Sequence, residues 1–234
     1  MWNLGALSGL DAAALVFFVS AWLLYGHAVQ RRSGHRSLSR LMHAQRRIWA
    51  EQMILRENRV VDTTINASLQ NGTAFFASTS LIALGSVLTL SRSGDDVLGL
   101  FGALPFGVAT TRATWEIKVA GLAIVFVYAF FKFSWAYRLF NYSAILIGAV
   151  PPKGGDAAKT LRAARRAASM NIAAGNHFDR GQRAFFFALA YLGWFISAYV
   201  LIAATAFVLY VMWHRQFASD ALASLGRGPW PEPP

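Results

Sequence analysis

Long runs without charged residues predict where this chain crosses a membrane. A helix needs about 20 consecutive apolar residues to span the hydrocarbon core. Four runs approach or exceed this length: residues 12–30, 63–91, 119–137 and 184–214. Only the third contains a charged residue, Lys132. We therefore predict an all-α polytopic membrane protein, a four-helix transmembrane bundle with cytoplasmic amphipathic helices, whose spans cover about residues 10–30, 65–90, 117–138 and 185–213.

The segment after the first run and the segment after the third run are strongly basic. Residues 31–62 hold eight Arg against three acidic residues, and residues 138–183 hold eight Lys and Arg against two acidic residues. Lys and Arg concentrate in loops that stay in the cytoplasm. We therefore predict that the loops 31–62 and 139–183 are cytoplasmic, that both termini are periplasmic, and that the protein is a multi-pass protein of the bacterial inner membrane.

Both basic loops carry a helical pattern of apolar residues. In the first loop, one helical face is apolar and consists of Leu38, Leu41, Met42, Ile48 and Trp49. Such a helix fits either the cytoplasmic surface of the membrane or packing against the second basic loop. In the second loop, residues 156–174 predict an Ala-rich helix and residues 176–181 predict a polar turn.

Two further segments are neither spans nor basic loops. Residues 97–109 are apolar but too short to cross a bilayer, which predicts an interfacial or re-entrant segment. Residues 226–234 are rich in Gly and Pro and predict a disordered tail. A single membrane domain is therefore expected over residues 1–225.

Composition narrows the classes of function. The chain has no cysteine, which excludes disulfides, thiolate metal sites and a cysteine nucleophile. Its net charge of +11 comes from Lys and Arg that cluster beside the predicted spans. We assign this charge to membrane topology and to contact with anionic lipids at the cytoplasmic face, and we expect no nucleic-acid partner.

The second span has a polar stripe that runs from the predicted cytoplasmic end into the bilayer. The stripe has helical spacing and consists of Arg59, Asp62, Asn66, Gln70, Thr73 and Ser80. Polar groups in hydrocarbon are costly, so the stripe is expected to face other helices or water. It forms either a hydrophilic pathway or ligand pocket, or a set of interhelical hydrogen bonds with an Arg59–Asp62 pair.

Lys132 is the charged residue within the third span, five residues before Tyr137. A Lys at this depth can extend its amine to the membrane interface. Its helical neighbours Tyr128 and Trp135 are typical of an interfacial aromatic belt. The alternative is that Lys132 meets Asp62 or Asn66, because both ends are predicted to be cytoplasmic.

The sequence contains no signature of an enzyme or of a cofactor site. Nucleotide-binding glycine patterns and common hydrolase or metalloprotease motifs are absent. His27 and His214 lie at opposite ends of the predicted spans, so they cannot bind one haem iron together. We therefore expect no catalytic residue, no cofactor and no metal, and we expect that the protein is not an enzyme.

Several short strings resemble one family of bacterial membrane proteins. They are ENRVVD at 57–62, FFAST at 75–79, FVYAFFKFSW at 126–135, NYSAILIG at 141–148 and GQRAFFFALA at 181–190, followed by Gly193 and Trp194. In their order and spacing they resemble the family called domain of unknown function 599. The resemblance implies a four-span inner-membrane protein without an assigned activity. It also implies that the family pattern includes Arg59, Asp62, Lys132, Asn141, Asn176 and Arg183.

These observations leave two hypotheses for the function. The first is a structural or partner-binding membrane protein, which acts as a homo-oligomer or as an accessory subunit of another membrane protein. The alternative is a permeation pathway for a small solute or ion, formed by an oligomer because four spans are few for a transporter. Membrane lipids are expected partners in both cases.

Overall fold

The chain folds as a set of α-helices. The computed structural model describes residues 7–31, 37–92 and 111–226. These residues form seven α-helices and one short 3-10 helix: α1 Gly9–Arg31, α2 Leu38–Met53, α3 Val60–Arg92, α4 Arg112–Gly148, α5 Ala157–Leu192, the 3-10 helix Gly193–Phe195, α6 Ala198–Phe217 and α7 Asp220–Gly226. The predicted all-α class is confirmed, since the described residues contain no strand.

Four helical segments are long and apolar enough to cross a membrane. They are Gly9–Val29, Val60–Arg92, Arg112–Gly148 and Ala198–Leu225. The first three agree with three of the predicted spans. Part of the predicted tail and the predicted segment at residues 97–109 lie outside the described residues, whereas Gly226 is the last residue of α7.

Local sequence sets the boundary between α4 and α5. Pro151 and Pro152 follow the end of α4, because proline lacks the amide hydrogen that would continue the helix. Gly154 adopts a positive φ of 97°, a conformation that favours glycine. The carboxylate of Asp156 then accepts hydrogen bonds from the backbone amides of Ala158 and Lys159, at 2.9 and 3.1 Å. It thereby caps the start of α5.

The fourth predicted span is not one helix. Helix α5 continues without a break from the second basic loop to Leu192, so the predicted polar turn at residues 176–181 is wrong. The apolar run then breaks at Gly193–Phe195, and α6 begins at Ala198. The predicted span 185–213 is therefore divided between α5 and α6.

A tight turn produces this break. A Cβ atom on Gly193 would lie 3.1 Å from the carbonyl oxygen of Val200, so a larger residue would force the turn apart. The hydroxyl of Ser197 accepts a hydrogen bond from the amide of Val200, at 3.2 Å, and caps α6. The chain can thus reverse within an apolar stretch that hydropathy alone reads as continuous.

The helices divide into two compact units. Unit 1 contains the described residues 7–31, 78–92, 111–130 and 181–212. Unit 2 contains residues 37–77, 131–180 and 213–226. The chain passes from one unit to the other five times: once between residues 31 and 37, and then after residues 77, 130, 180 and 212.

In unit 2, α2 packs against the end of α4 and the start of α5. Its buried residues are Leu41, Ala50 and Met53 rather than the full apolar face expected from the sequence, and Met42 is exposed. Ala50 and Met53 belong to one apolar cluster with Ile147, Val150, Ala164, Ala167 and Ala168. Of the two expected positions for this helix, the structure adopts packing against the second basic loop.

The C-terminal helix also belongs to unit 2. Helix α7 packs against α2, and the hydroxyl of Ser39 on α2 donates to the side-chain oxygen of Gln216, at 3.4 Å. The first basic loop and the C-terminal helix are therefore neighbours. The periplasmic position of the C-terminus stays a prediction.

Aromatic side chains fill much of unit 1. Phe18 on α1 makes edge-to-face contacts with Phe187 and Tyr191 on α5, at centroid distances of 5.6 and 5.3 Å. Trp22 makes a similar contact with Tyr128 on α4, at 5.3 Å. These rings join α1, α4 and α5 through geometries that favour aromatic pairs.

Gly121 on α4 provides the first testable prediction. A Cβ atom there would lie 2.0 Å from the hydroxyl oxygen of Tyr191 and 2.9 Å from its ring carbon Cζ. We expect Gly121→Ala to lower the free energy of unfolding by about 1–3 kcal/mol, because the packed ring must move. Thermal unfolding of the detergent-solubilised protein measures this effect, and Tyr191→Phe should restore part of the loss.

Gly85 on α3 is the matched control in unit 1, because a Cβ atom there meets nothing within 4 Å. Alanine at this helical position should be neutral or stabilise the protein by up to about 1 kcal/mol. Equal losses from Gly85→Ala and Gly121→Ala would contradict the proposed close packing at Gly121.

Candidate functional site

The polar stripe of α3 faces other helices of unit 2. Asp62, Asn66 and Thr73 are almost completely buried, and Gln70 is partly buried. Their side chains contact α2, α4, α5 or the backbone of α3 itself. The structure thus adopts the interhelical alternative at this level of the helix.

Asp62 accepts hydrogen bonds from two side chains that precede α3. Its Oδ1 atom accepts from Trp49 Nε1 on α2, at 2.7 Å, and forms an ion pair with Arg56. The predicted Arg59–Asp62 pair is therefore wrong, because Arg56 is the cation that contacts Asp62. The Oδ2 atom of Asp62 is buried without a hydrogen-bond partner among the described residues.

Arg59 instead binds the end of α4. Its guanidinium donates to the carbonyl oxygens of Val150 and Pro151, the latter at 2.6 Å, with a longer contact to Ile147 at 3.5 Å. The last carbonyls of a helix lack partners within the helix. Arg59 supplies those partners and ties the start of α3 to the end of α4.

Two asparagines and a serine join α3, α4 and α5. Asn66 donates to the carbonyl of Phe140 on α4, at 3.1 Å, and its Oδ1 accepts from Asn171 on α5, also at 3.1 Å. The same Asn171 amide lies 3.3 Å from the hydroxyl of Ser143, which lies 3.4 Å from the carbonyl of Ala167. One buried network therefore connects three helices.

Sequence reasoning missed Ser143 and Asn171. Ser143 lies inside the NYSAILIG string, and Asn171 interrupts an Ala-rich helix, which is the local signal that could have found it. Gln70 and Asn141, both identified from the sequence, meet directly, since the Gln70 amide donates to Asn141 Oδ1. Thr73 donates to the carbonyl of Leu69 in its own helix.

Arg46 of α2 is a second residue that the sequence did not single out. Its guanidinium donates to the carbonyl of Asn171, at 2.7 Å, and a Cβ atom on Gly175 would lie 2.0 Å from Nη1. Burial lowers the pKa of Arg46, and the charge of Asp179 opposes that shift. Gly175 therefore lets the cation approach the backbone of α5.

His43 lies one turn before Arg46 on α2. Burial lowers the pKa of His43, and the charge of Arg46 adds to that shift. The charge of Asp179 and a side-chain hydrogen bond with Asn176 oppose it. Asn176, a candidate from the family resemblance, thus contacts α2. It takes part in the packing of α2 on α5.

The other two predicted candidates lie elsewhere. Lys132 on α4 is partly buried and acts electrostatically on His177 of α5. Arg183 is partly buried on the section of α5 that belongs to unit 1.

Unit 1 contains a charged tie that the sequence analysis overlooked. Lys118 on α4 is 5% exposed and donates to the carbonyl of Trp194 in the 3-10 helix, at 2.8 Å. The indole of Trp194 donates to Asp11 Oδ1 on α1, at 2.7 Å. The signal for this tie was the position of Asp11 and Lys118, each at the edge of an apolar run. The tie holds α1, α4 and the turn before α6 together.

One small cavity lies beside the network in unit 2. The cavity beside the network has a volume of about 10 Å³ and is lined by Trp49, Ala50, Met53, Ser143, Ile147, Ala167 and Ala168. This space is about that of one water molecule. Among the residues that the structure describes, no three His, Asp or Glu side chains converge as a metal site would require.

Comparison with known proteins identifies one family. The family model described as "Protein of unknown function, DUF599" matches residues 13–221. No curated protein and no solved structure matches the chain. The match extends over most of the chain, including the polar stripe of α3, Lys118 and Trp194 of the charged tie, and all residues of the network.

The network predicts a stability difference between two asparagines of α3. Asn66→Leu should lower the free energy of unfolding by about 1–3 kcal/mol, because it leaves the Phe140 carbonyl and the Asn171 amide without their partner. Asn71→Leu is the matched control, since Asn71 is exposed on the same helix. Thermal unfolding in detergent should show a loss for the first variant and little or no loss for the second.

Combining Asn66→Leu with Asn171→Leu tests the contact itself. The double variant should be less destabilised than the sum of the single variants, with a coupling of about 0.5–3 kcal/mol, because the two amides bond each other. Strict additivity would show that the two residues stabilise the protein independently.

Proposed function

The chain belongs to the DUF599 family of proteins of unknown function, and we propose that it is a structural or partner-binding protein of the membrane without catalytic activity of its own. One observation carries the proposal. Asn66 and Gln70 of α3, which could have lined a pathway, instead bond to neighbouring helices, as the Asn66–Asn171 contact illustrates.

The hydrogen bonds of the stripe favour a rigid scaffold over a channel. The Asn66 amide donates to a backbone carbonyl, and the Gln70 amide donates to the Asn141 side chain. A permeating solute would have to displace these partners and leave buried groups unpaired, which is costly. The neighbouring cavity is too small for a solute larger than water.

The solvent-facing part of unit 2 offers a surface for a partner. Arg162 and Arg166 are exposed on α5, and Arg47 is exposed on α2. Arg165 pairs with Glu51 across the two helices, at 3.2 Å. The helices beneath these residues are fixed by the apolar cluster and by Arg46, so the basic surface is held in one geometry.

We also propose a revised topology in the bacterial inner membrane. Helices α3, α4, α5 and α6 each begin in one unit and end in the other, while α2 and α7 lie in unit 2. Most of the described residues of both basic loops also lie in unit 2. Because α7 packs against α2 within unit 2, the positive-inside rule then favours a cytoplasmic C-terminus, together with a periplasmic N-terminus.

Fusions at the C-terminus test this topology. A green fluorescent protein fused after residue 234 should fluoresce, and alkaline phosphatase at the same point should be inactive, because α7 packs on the basic loop. Fusions after residue 195, in the turn before α6, serve as the control and should give the opposite pattern. An active phosphatase at the C-terminus would contradict this topology and would support the one in which both termini are periplasmic.

The composition of the native complex tests the function. We expect the protein extracted from native membranes under mild conditions to retain a second copy or a stoichiometric partner, which its mass and subunit composition would reveal. Liposomes that contain the purified protein should show no solute flux above that of empty liposomes. A flux that Asn66→Leu abolishes while the protein remains folded would contradict the proposal and favour a permeation pathway.

A further inference from the structure

A group of basic side chains lies in unit 2 where α4 meets α5. The ring of His177 on α5 packs against Trp135 on α4, with 6.4 Å between the ring centroids. Lys132 lies one turn before Trp135, and Arg180 lies one turn after His177. Lys132 and Arg180 both act electrostatically on His177, so the three basic groups form one cluster.

The acidic residue next to this cluster in sequence faces a different helix. Asp179 accepts a hydrogen bond from Ser39 on α2, at 3.1 Å, and acts on His43 and Arg46. The charges that act on His177 are both positive, and like charges at close range repel. The Nδ1 atom of His177 is buried without a hydrogen-bond partner among the described residues. An anion at this point would bring a negative charge to Lys132 and Arg180.

Aromatic residues indicate the depth of the cluster in the membrane. Trp135 is 45% exposed and Tyr137 is 40% exposed, and both lie on the last turns of the predicted span. Trp and Tyr with this exposure are typical of the level of the lipid headgroups. Arg138 follows, and it donates to the hydroxyl of Tyr142 at 2.7 Å. Lys132 can extend its amine to the same level.

We propose that Lys132, His177 and Arg180 bind the phosphate group of an anionic phospholipid, with Trp135 packing against the glycerol region of the lipid. Lys and Arg side chains supply charge-assisted hydrogen bonds to phosphate. A basic pocket between helices on the cytoplasmic side is a recurrent way to hold such a headgroup. The site goes beyond the proposed function and does not depend on it, since it requires only that α4 and α5 reach the headgroup level.

Lipid binding to the purified full-length protein tests the site. Native mass spectrometry would follow the titration of phosphatidylglycerol, with phosphatidylcholine as the neutral lipid. Lys132→Gln and Arg180→Gln should each weaken binding of phosphatidylglycerol about five-fold and leave phosphatidylcholine unaffected. Lys159→Gln is the matched control, because it removes the same charge from an exposed position on α5, and it should leave binding unchanged.

Three results would overturn the proposal. Equal affinity of the folded Lys132→Gln variant and the unmodified protein would show that the cluster does not bind the lipid. An equal loss in the Lys159→Gln control would show that only the net charge matters. Displacement of the lipid by inorganic phosphate would show that the site takes a free anion instead. Lys132→Arg keeps the charge and should retain binding, which separates a lost contact from a lost fold.

Discussion

A polar side chain that a helix buries must find its hydrogen-bond partner inside the protein, and the helix packing of unit 2 depends on this constraint. Asn66 satisfies this constraint by bonding to one carbonyl of α4 and one side-chain amide of α5. These bonds fix the depth and rotation of the three helices together. Arg59 meets it by capping the end of α4. The packing is therefore specified by pairing as well as by apolar contact.

Close approach between helices requires small residues where polar or aromatic groups cross. Gly175 leaves space for the guanidinium of Arg46, and Gly121 leaves space for the ring of Tyr191. Unit 1 adds a charged tie, because the carbonyl of Trp194 is freed by the break in the helix and accepts from Lys118. The residues that shape the helix packing thus also bond its buried polar groups, as Asn66 and Lys118 do, and this is the basis of the proposed scaffold role.

Much of the fold was predictable because its signals are local. Uncharged runs located α1, α3 and α4, the two prolines located the end of α4, and the helical pattern of the first loop located α2. The candidate site was only partly predictable. The spacing of Asp62, Asn66 and Gln70 revealed the stripe. Its partner Asn171, and the Ser143 and Arg46 side chains that contact Asn171, are distant in sequence and carry no periodic signal.

The sequence by itself determined that the chain is a helical membrane protein, which segments are apolar, and which loops are basic. Only the tertiary structure decided the path of the last apolar run. Hydropathy measures apolar length, but the turn after Leu192 depends on the approach of Gly193 to Val200 and on the bond from Lys118 to Trp194. The tertiary structure likewise decided the partner of Asp62 and the position of α7 against α2. Both follow from contacts between segments that the hydrophobic pattern alone cannot pair.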